Sequence, residues 1–222
     1  MILKPYQLSN MSTMNSNFFL FYGQNEGHKN EAIQKILNSG FSKNIFRYDE
    51  DEIFKNYNNF ISEVSNKSFF EDKKIIIISR TSEKIYSLIE DIIDKKIEDI
   101  KIIINSKALD KKSKLRANFE KKLNLVCVAF YNDDNSTLAN IAGKFFNENN
   151  IPISREILNS LVERCRGDRI NLKNELTKIE AFLINKKKIS VNEILKLTNL
   201  AENYSLSELV DACLSKNKKK TL

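Results

Sequence analysis

The chain has 222 residues, of which 41% are hydrophobic and 29% charged, a balance that excludes an intrinsically disordered chain and suffices for one large domain or two modest ones. Five Gly and two Pro leave no room for a turn-rich β-sandwich, and one histidine with three scattered cysteines excludes a multi-histidine metal site and offers neither a zinc motif nor a disulfide framework. The net charge of +7, partly carried by Lys216, Lys218, Lys219 and Lys220, permits work near nucleic acid without demanding it.

Residues 1–17 are polar and lack the apolar core of a signal peptide, and no run reaches the length of a transmembrane helix. A soluble, cytoplasmic protein without membrane contact is expected, with Cys127, Cys165 and Cys213 reduced. Ile2-Leu3 reads as a short edge strand. Apolar runs then recur at 18–22, 44–48, 74–79, 101–105 and 125–130. Ile75-Ile76-Ile77-Ile78 and Ile102-Ile103-Ile104 are continuous rather than alternating, the mark of strands buried on both faces of a parallel sheet. Between them, amphipathic periodicity predicts helices over 31–37, 54–64, 83–93 and 112–123. The second should place Phe54, Tyr57, Phe60, Ile61 and Val64 on one face, and the fourth Leu115, Phe119 and Leu123. This β-α-β-α order predicts an α/β domain with a mostly parallel sheet covered by helices on both sides.

The first βα turn of such a sheet is where phosphates bind, and here it reads Gly23-Gln24-Asn25-Glu26-Gly27-His28-Lys29-Asn30. A working phosphate loop reads G-x-x-x-x-G-K-[ST]: amides cradle the phosphates, the Lys neutralises them and the hydroxyl holds Mg²⁺. Here Gly23 and Gly27 are one residue closer than the motif requires, His28 precedes Lys29, and Asn30 replaces the hydroxyl. Glu26 adds negative charge where phosphates would lie. Three readings stay open: an unusual active nucleotide site, a disabled remnant of one, or a plain tight turn. The strand ends that should carry a magnesium-binding acidic pair read Ser79-Arg80-Thr81 and Asn105-Ser106-Lys107. This second failure favours a protein that does not hydrolyse nucleotide, with no metal and no cofactor.

Ser68-Phe69-Phe70 sits in a polar connection between a helix and a strand. Either the aromatic pair plugs a hydrophobic pocket on a partner, or the two rings pack on the sheet edge and the preceding helix. The basic stretch 107–122 includes Lys111, Lys112, Lys114 and Arg116; it either approaches a phosphate backbone or, given Asp110 and Glu120 among its lysines, is a solvated helix face.

Beyond the polar break at 131–135 only helical periodicity continues: one helix over 136–148, one capped by Ser154, one capped by Asp168 and running to about 184 with Leu172, Leu176, Ile179 and Leu183 inward, and Val191–Leu197 capped by Ser190. A last helix starts at Ser205. The chain ends in mid-pattern on a basic run, so a truncated chain is expected.

The strand ending Phe21-Tyr22-Gly23-Gln24-Asn25-Glu26-Gly27, followed much later by Cys165-Arg166-Gly167-Asp168-Arg169 and Leu172-Lys173-Asn174-Glu175-Leu176-Thr177-Lys178-Ile179, resembles the delta subunit of bacterial DNA polymerase III, the clamp-opening subunit of the replicative clamp loader. The resemblance spans essentially the whole chain. It implies an AAA+-like α/β domain over 1–133, a small all-helical lid domain over 134–202 and the start of a truncated helical collar over 203–222. It also implies a subunit that binds no ATP and is not catalytic by itself, the nucleotidyltransferase activity belonging to the polymerase complex. The implied partners are the sliding clamp (beta subunit), the other loader subunits through the collar, and primer-template DNA within the complex. Ser68, Phe69 and Phe70 match the family's clamp-binding hydrophobic pair, commonly Leu-Phe, so Phe69 departs from it mildly. The alternatives are a divergent active P-loop NTPase and a general DNA-binding module.

Overall fold

The computed structural model describes residues 1–8, 16–65, 73–95, 97, 99–186, 188–198 and 213–215. The chain forms two compact units, Met1–Asn132 and Asp133–Leu222.

In the first unit the strands are β1 (Ile2–Leu3), β2 (Phe18–Gly23), β3 (Ile45–Asp49), β4 (Lys74–Thr81), β5 (Ile100–Ser106) and β6 (Leu125–Phe130). They form one sheet of order β1-β6-β2-β5-β4-β3, with every pairing parallel. The continuous apolar runs are the inner strands, because side chains of both parities are covered. Leu20, Ile76, Ile78, Ile102 and Ile104 join one core; Phe19, Phe21, Ile75, Ile77 and Ile103 join the other, which also holds Ala32, Ile33 and Ile36. β1 lies at the edge, as expected, and the Met1 ammonium donates to the Lys122 carbonyl at 2.9 Å. From β2 the chain crosses to the β3 edge, returns through β4 and β5, then passes to β6 on the other side of β2. The switch point of the sheet is therefore at the C-terminal end of β2, where ligands of such sheets bind.

The helices of this unit are α1 (Glu26–Leu37), α2 (Glu50–Lys55), α3 (Tyr57–Ser65), α4 (Tyr86–Asp94) and α5 (Lys114–Lys121), with a 3-10 turn at Glu83–Ile85 before α4. They correct the sequence reading at three points. α1 begins at Glu26, inside the supposed loop, because the Asn25 side chain accepts from the His28 amide and caps it. The single helix expected over 54–64 is broken at Asn56 (φ −126°, ψ 44°). The one apolar face is broken with it: Phe60 and Val64 are buried, while Phe54 and Tyr57 are 42% and 40% exposed. α5 stops at Lys121 because Lys122 is extended, which takes Leu123 off the helix and leaves it exposed.

Among the described residues the second unit is helical: α6 (Asn135–Glu148), α7 (Arg155–Cys165), α8 (Arg169–Asn185) and α9 (Val191–Leu197). Asp134, Ser154, Asp168 and Ser190 cap them by accepting first-turn amides. Leu138, Ala142, Phe146, Leu161, Leu172, Ile179 and Ile194 make its core. Apart from 213–215, the segment 203–222 lies outside the described residues. No helix among them is long and apolar enough to cross a membrane.

Candidate functional site

The turn after β2 is only Gly23-Gln24-Asn25 before α1 begins. Gly23 has φ +126°, and a Cβ there would lie 2.0 Å from the Phe130 carbonyl oxygen. Glycine is required because β2 and β6 close on each other at this point, so its presence is explained without a phosphate. Asn25 ties the same junction: its amide donates to the Phe130 carbonyl at 3.3 Å, and its side-chain nitrogen donates to the Tyr131 carbonyl at 3.0 Å. His28, where a phosphate loop has its second glycine, packs its ring edgewise on Phe130 at 5.1 Å. Gly27 is buried and Asn30 is exposed.

Lys29 is fully buried. Its ammonium donates to Glu26 Oε1 at 2.7 Å and to the Ser106 carbonyl at 2.7 Å. Burial pulls the amine below the ordinary lysine range, and the Glu26 carboxylate offsets that only in part. Glu26, which reads in the sequence as a charge opposed to phosphate, is thus the partner of the lysine that phosphate would need. The spacing of three on a helix is the signal for that pair. The Ser106 carbonyl, 77 residues away, has no sequence signal.

Beside this junction a cavity of about 290 Å³ is lined by Glu26, Asp49, Ser79, Arg80, Asn105 and Lys107. Its two carboxylates are both engaged, Glu26 with Lys29 and Asp49 with Arg80. β4 ends irregularly, with a register shift between Ile78 and Thr81 and Arg80 at φ 55°. Glu50, the acid that follows β3, is buried and accepts from the Ser82 amide at 3.0 Å and hydroxyl at 3.1 Å. No metal-binding group of three or more His, Cys, Asp or Glu forms among the described residues.

The basic stretch divides. Lys111, Lys112 and Lys114 are exposed. Arg116 is not with them: its Nε donates to Glu120 at 2.8 Å, its Nη1 to the Leu109 carbonyl at 3.2 Å, and its guanidinium lies 5.0 Å from the Tyr22 ring centroid. Instead Lys84, which the sequence does not associate with the stretch, and Lys107, its first residue, join Lys112 and Lys114 along a groove of about 720 Å³. Glu83 occupies the start of α5, accepting from the Ser113 hydroxyl at 2.6 Å and the Leu115 amide at 3.0 Å. Burial alone would raise its carboxyl, but these hydrogen bonds win and hold it below the usual range. An anion in this groove would therefore meet lysines, not free helix amides.

In the helical unit, Arg166 and Gly167 both take positive φ, 48° and 75°, to close α7. The Asp133 amide donates to the Gly167 carbonyl at 3.1 Å. Arg169 forks onto Asp133 at 2.8 and 2.6 Å. Gly167 and Arg169 thus form a buried clasp fastening the entry of the unit to α8, while Asp168 between them is exposed. Ser68, Phe69 and Phe70 lie outside the described residues.

A family model described as DNA polymerase III, delta subunit, matches residues 19–129, half of the chain. No curated protein matches. Among solved structures, the Bacillus subtilis DNA clamp loader delta protein superposes with a TM-score of 0.55 at 14% identity, over 97% of this chain and 68% of that one. Domain III of the Thermotoga maritima replication initiation protein DnaA gives 0.50 at 13% identity, over 87% of each. The Thermotoga maritima RuvB Holliday junction branch migration motor gives 0.54 at 13% identity, over 96% of this chain and 73% of that one. At these identities the superpositions establish the fold, that of AAA+ proteins.

Proposed function

The chain belongs to the DNA polymerase III delta-subunit family, whose work is DNA replication, and on that premise we propose that it binds and opens the sliding clamp without binding ATP itself. The observation that carries this is Lys29. A lysine fully buried and hydrogen-bonded to Glu26 and to the Ser106 carbonyl is a strut between α1 and β5 rather than a ligand for phosphate. Nucleotide chemistry is then left to neighbouring loader subunits, and nucleotidyl transfer to the polymerase.

Phe69 and Phe70, with Ser68, are the proposed clamp contact. Burying two phenylalanine side chains contributes roughly 3–6 kcal/mol before ordering costs, enough to compete with a strained clamp interface. Residues 203–222 are proposed as the start of the collar through which loader subunits assemble. Lys111, Lys112 and Lys114 are proposed to face primer-template DNA. Arg116, committed to Glu120 and Tyr22, is given no such role.

The test is clamp binding by the whole chain and by Phe69→Ala/Phe70→Ala. Equal affinity for both proteins would refute the contact. Two further titrations separate the competing functions. Micromolar binding of Mg-ATP that Lys29→Ala abolishes would mark a divergent NTPase. Steeply salt-dependent duplex affinity with no clamp affinity would mark a general DNA-binding module.

A further inference from the structure

A sheet built largely of isoleucine carries one lysine within its central register. Lys101, on β5 beside Ile75 of β4, is only 8% exposed. Its ammonium lies 4.5 Å from the centroid of the Phe41 ring and 5.7 Å from that of Phe19. Lys73, the exposed residue just before β4, brings a second ammonium to 5.2 Å from the same Phe41 ring. Among the described residues neither ammonium has a carboxylate or a hydrogen-bond acceptor. Burial, and then repulsion from Lys73, pull the Lys101 amine below the ordinary lysine range.

In the free chain this arrangement is unfavourable. A partly desolvated cation gains from a counter-charge or acceptors, and a ring face restores only part of the lost hydration. The second cation over the same ring adds repulsion. Methionine would fill the same space beside Phe19 and Phe41 with no charge to desolvate. Among the described residues the two cations converge on one ring with no anion between them, the geometry of an anion receptor. A duplex backbone is met by a row of solvated cations that follows it, whereas a recessed pair walled by a phenyl ring suits a single carboxylate brought in by a protein surface. The pair also lies at the ends where β4 and β5 begin, opposite to Gly23 and Ser106, and Lys73 follows Phe70 by three residues in the chain.

We propose that Lys73 and Lys101 form the polar half of the clamp contact, receiving a carboxylate of the sliding clamp beside the pocket that takes Phe69 and Phe70. This inference rests on the clamp-opening function proposed above.

The experiment measures clamp affinity of the full chain at about 50 and 300 mM salt, with thermal unfolding of the same samples, for wild type, Lys101→Met, Lys73→Met, Lys73→Glu and Phe69→Ala/Phe70→Ala. Lys101→Met is expected to unfold at the same or a higher temperature than wild type, yet to bind the clamp about tenfold more weakly at low salt. Its affinity should also depend less on salt. A purely structural lysine would not separate stability from binding in this way. Lys73→Glu, at an exposed position, is expected to weaken binding further than Lys73→Met, and provides the test should Lys101→Met fold poorly. If the lysine variants bind like wild type while the phenylalanine variant has lost binding, the inference is overturned and the clamp function stands. If the phenylalanine variant also binds like wild type, the contact itself is wrong and the inference falls with it. If the lysine variants weaken duplex DNA binding and leave clamp binding intact, the anion is a phosphate and the proposal fails.

Discussion

Lys29 offers a test in which a nucleotide site and a structural strut give opposite results. In a phosphate loop, neutralising the lysine removes ligand affinity and spares the apo fold. Here Lys29→Met would keep most of the buried stem and remove both hydrogen bonds. Glu26 is 45% exposed at its side chain and can turn to water, so the loss of its ion pair is screened and contributes little. The Ser106 carbonyl is left inside without this donor, at about 1–3 kcal/mol. Burial already lowers the lysine's own pKa, so desolvation outweighs the pairing and the net cost of Lys29→Met should fall at the low end, about 1–2 kcal/mol. Lys29→Ala adds the cavity left by the stem, by analogy with large-to-small core substitutions a further ~2–3 kcal/mol. Urea unfolding of wild type, Lys29→Met and Lys29→Ala should therefore give a graded series. Millimolar Mg-ATP should leave all three melting temperatures unchanged, whereas a ligand present at a hundred times its Kd would add about 2.7 kcal/mol. A Lys29→Met protein as stable as wild type, combined with an ATP-induced stabilisation that only wild type shows, would refute the strut.

Gly23→Ala should destabilise by about 3–5 kcal/mol, since its Cβ meets the Phe130 backbone at 2.0 Å with φ +126° and neither strand can yield. Gly40→Ala is the control: φ +76° with nothing within 4 Å, hence a backbone cost alone of about 1 kcal/mol. Equal midpoints in denaturant would show that the close approach is not what requires glycine. Glu193 gives a pH signature in the helical unit. The Ser190 amide, then Lys186 and the Ser190 hydroxyl, lower its carboxyl from 4.5 to about 2. A depressed folded pKa means stabilisation present above pH 4.5, declining as the pH falls and absent below about 2. Glu193→Gln should flatten the stability profile across that window, and a carboxyl titrating near 4.5 in the folded protein by NMR would contradict the capping geometry.

The inner strands were legible because burial on both sheet faces leaves long apolar runs, Ile75–Ile78 and Ile102–Ile104, with few polar residues among them; Leu125–Phe130 even matches end to end. The helical unit was legible through its caps, Ser154, Asp168 and Ser190, which announce helix starts by side-chain chemistry. Where the reading failed, the cause was tertiary or lay in a single dihedral. Nothing in Lys55-Asn56-Tyr57 signals a break, since neither proline nor glycine is present, yet Asn56 leaves the helix and puts Phe54 and Tyr57 in solvent. Likewise Leu123 keeps the period of α5 after the helix has ended. At the site, the departures from the phosphate-loop motif were visible residue by residue. What replaces the phosphate was not: the Ser106 and Phe130 carbonyls are backbone groups with no sequence signature, and Arg116 is drawn from the basic stretch by Tyr22, 94 positions earlier.

Groups that bind a nucleotide must be left unsatisfied until it arrives, and that is how such a site switches between states. At the β2–α1 junction those groups are satisfied within the chain. Lys29 has a carboxylate and a carbonyl, Asn25 caps the helix that phosphate would otherwise cap, and Gly23 closes β2 on β6. With these groups taken, a nucleotide would find few contacts by which to favour one state of the domain over another, and a partner's conformational change would have to be driven by the binding free energy of the partner itself. Among the described residues the Lys73 and Lys101 ammoniums over Phe41, at the end of the sheet where β4 and β5 begin, have no carboxylate beside them, while the buried Thr81 Oγ1, Asn105 Oδ1 and Asn118 Oδ1 lack hydrogen-bond partners. The fold is that of AAA+ proteins with the lysine, the helix cap and the glycine of the nucleotide crevice taken up by the chain's own groups, which accords with the proposal of a subunit that acts on a clamp by binding it rather than by turning over nucleotide.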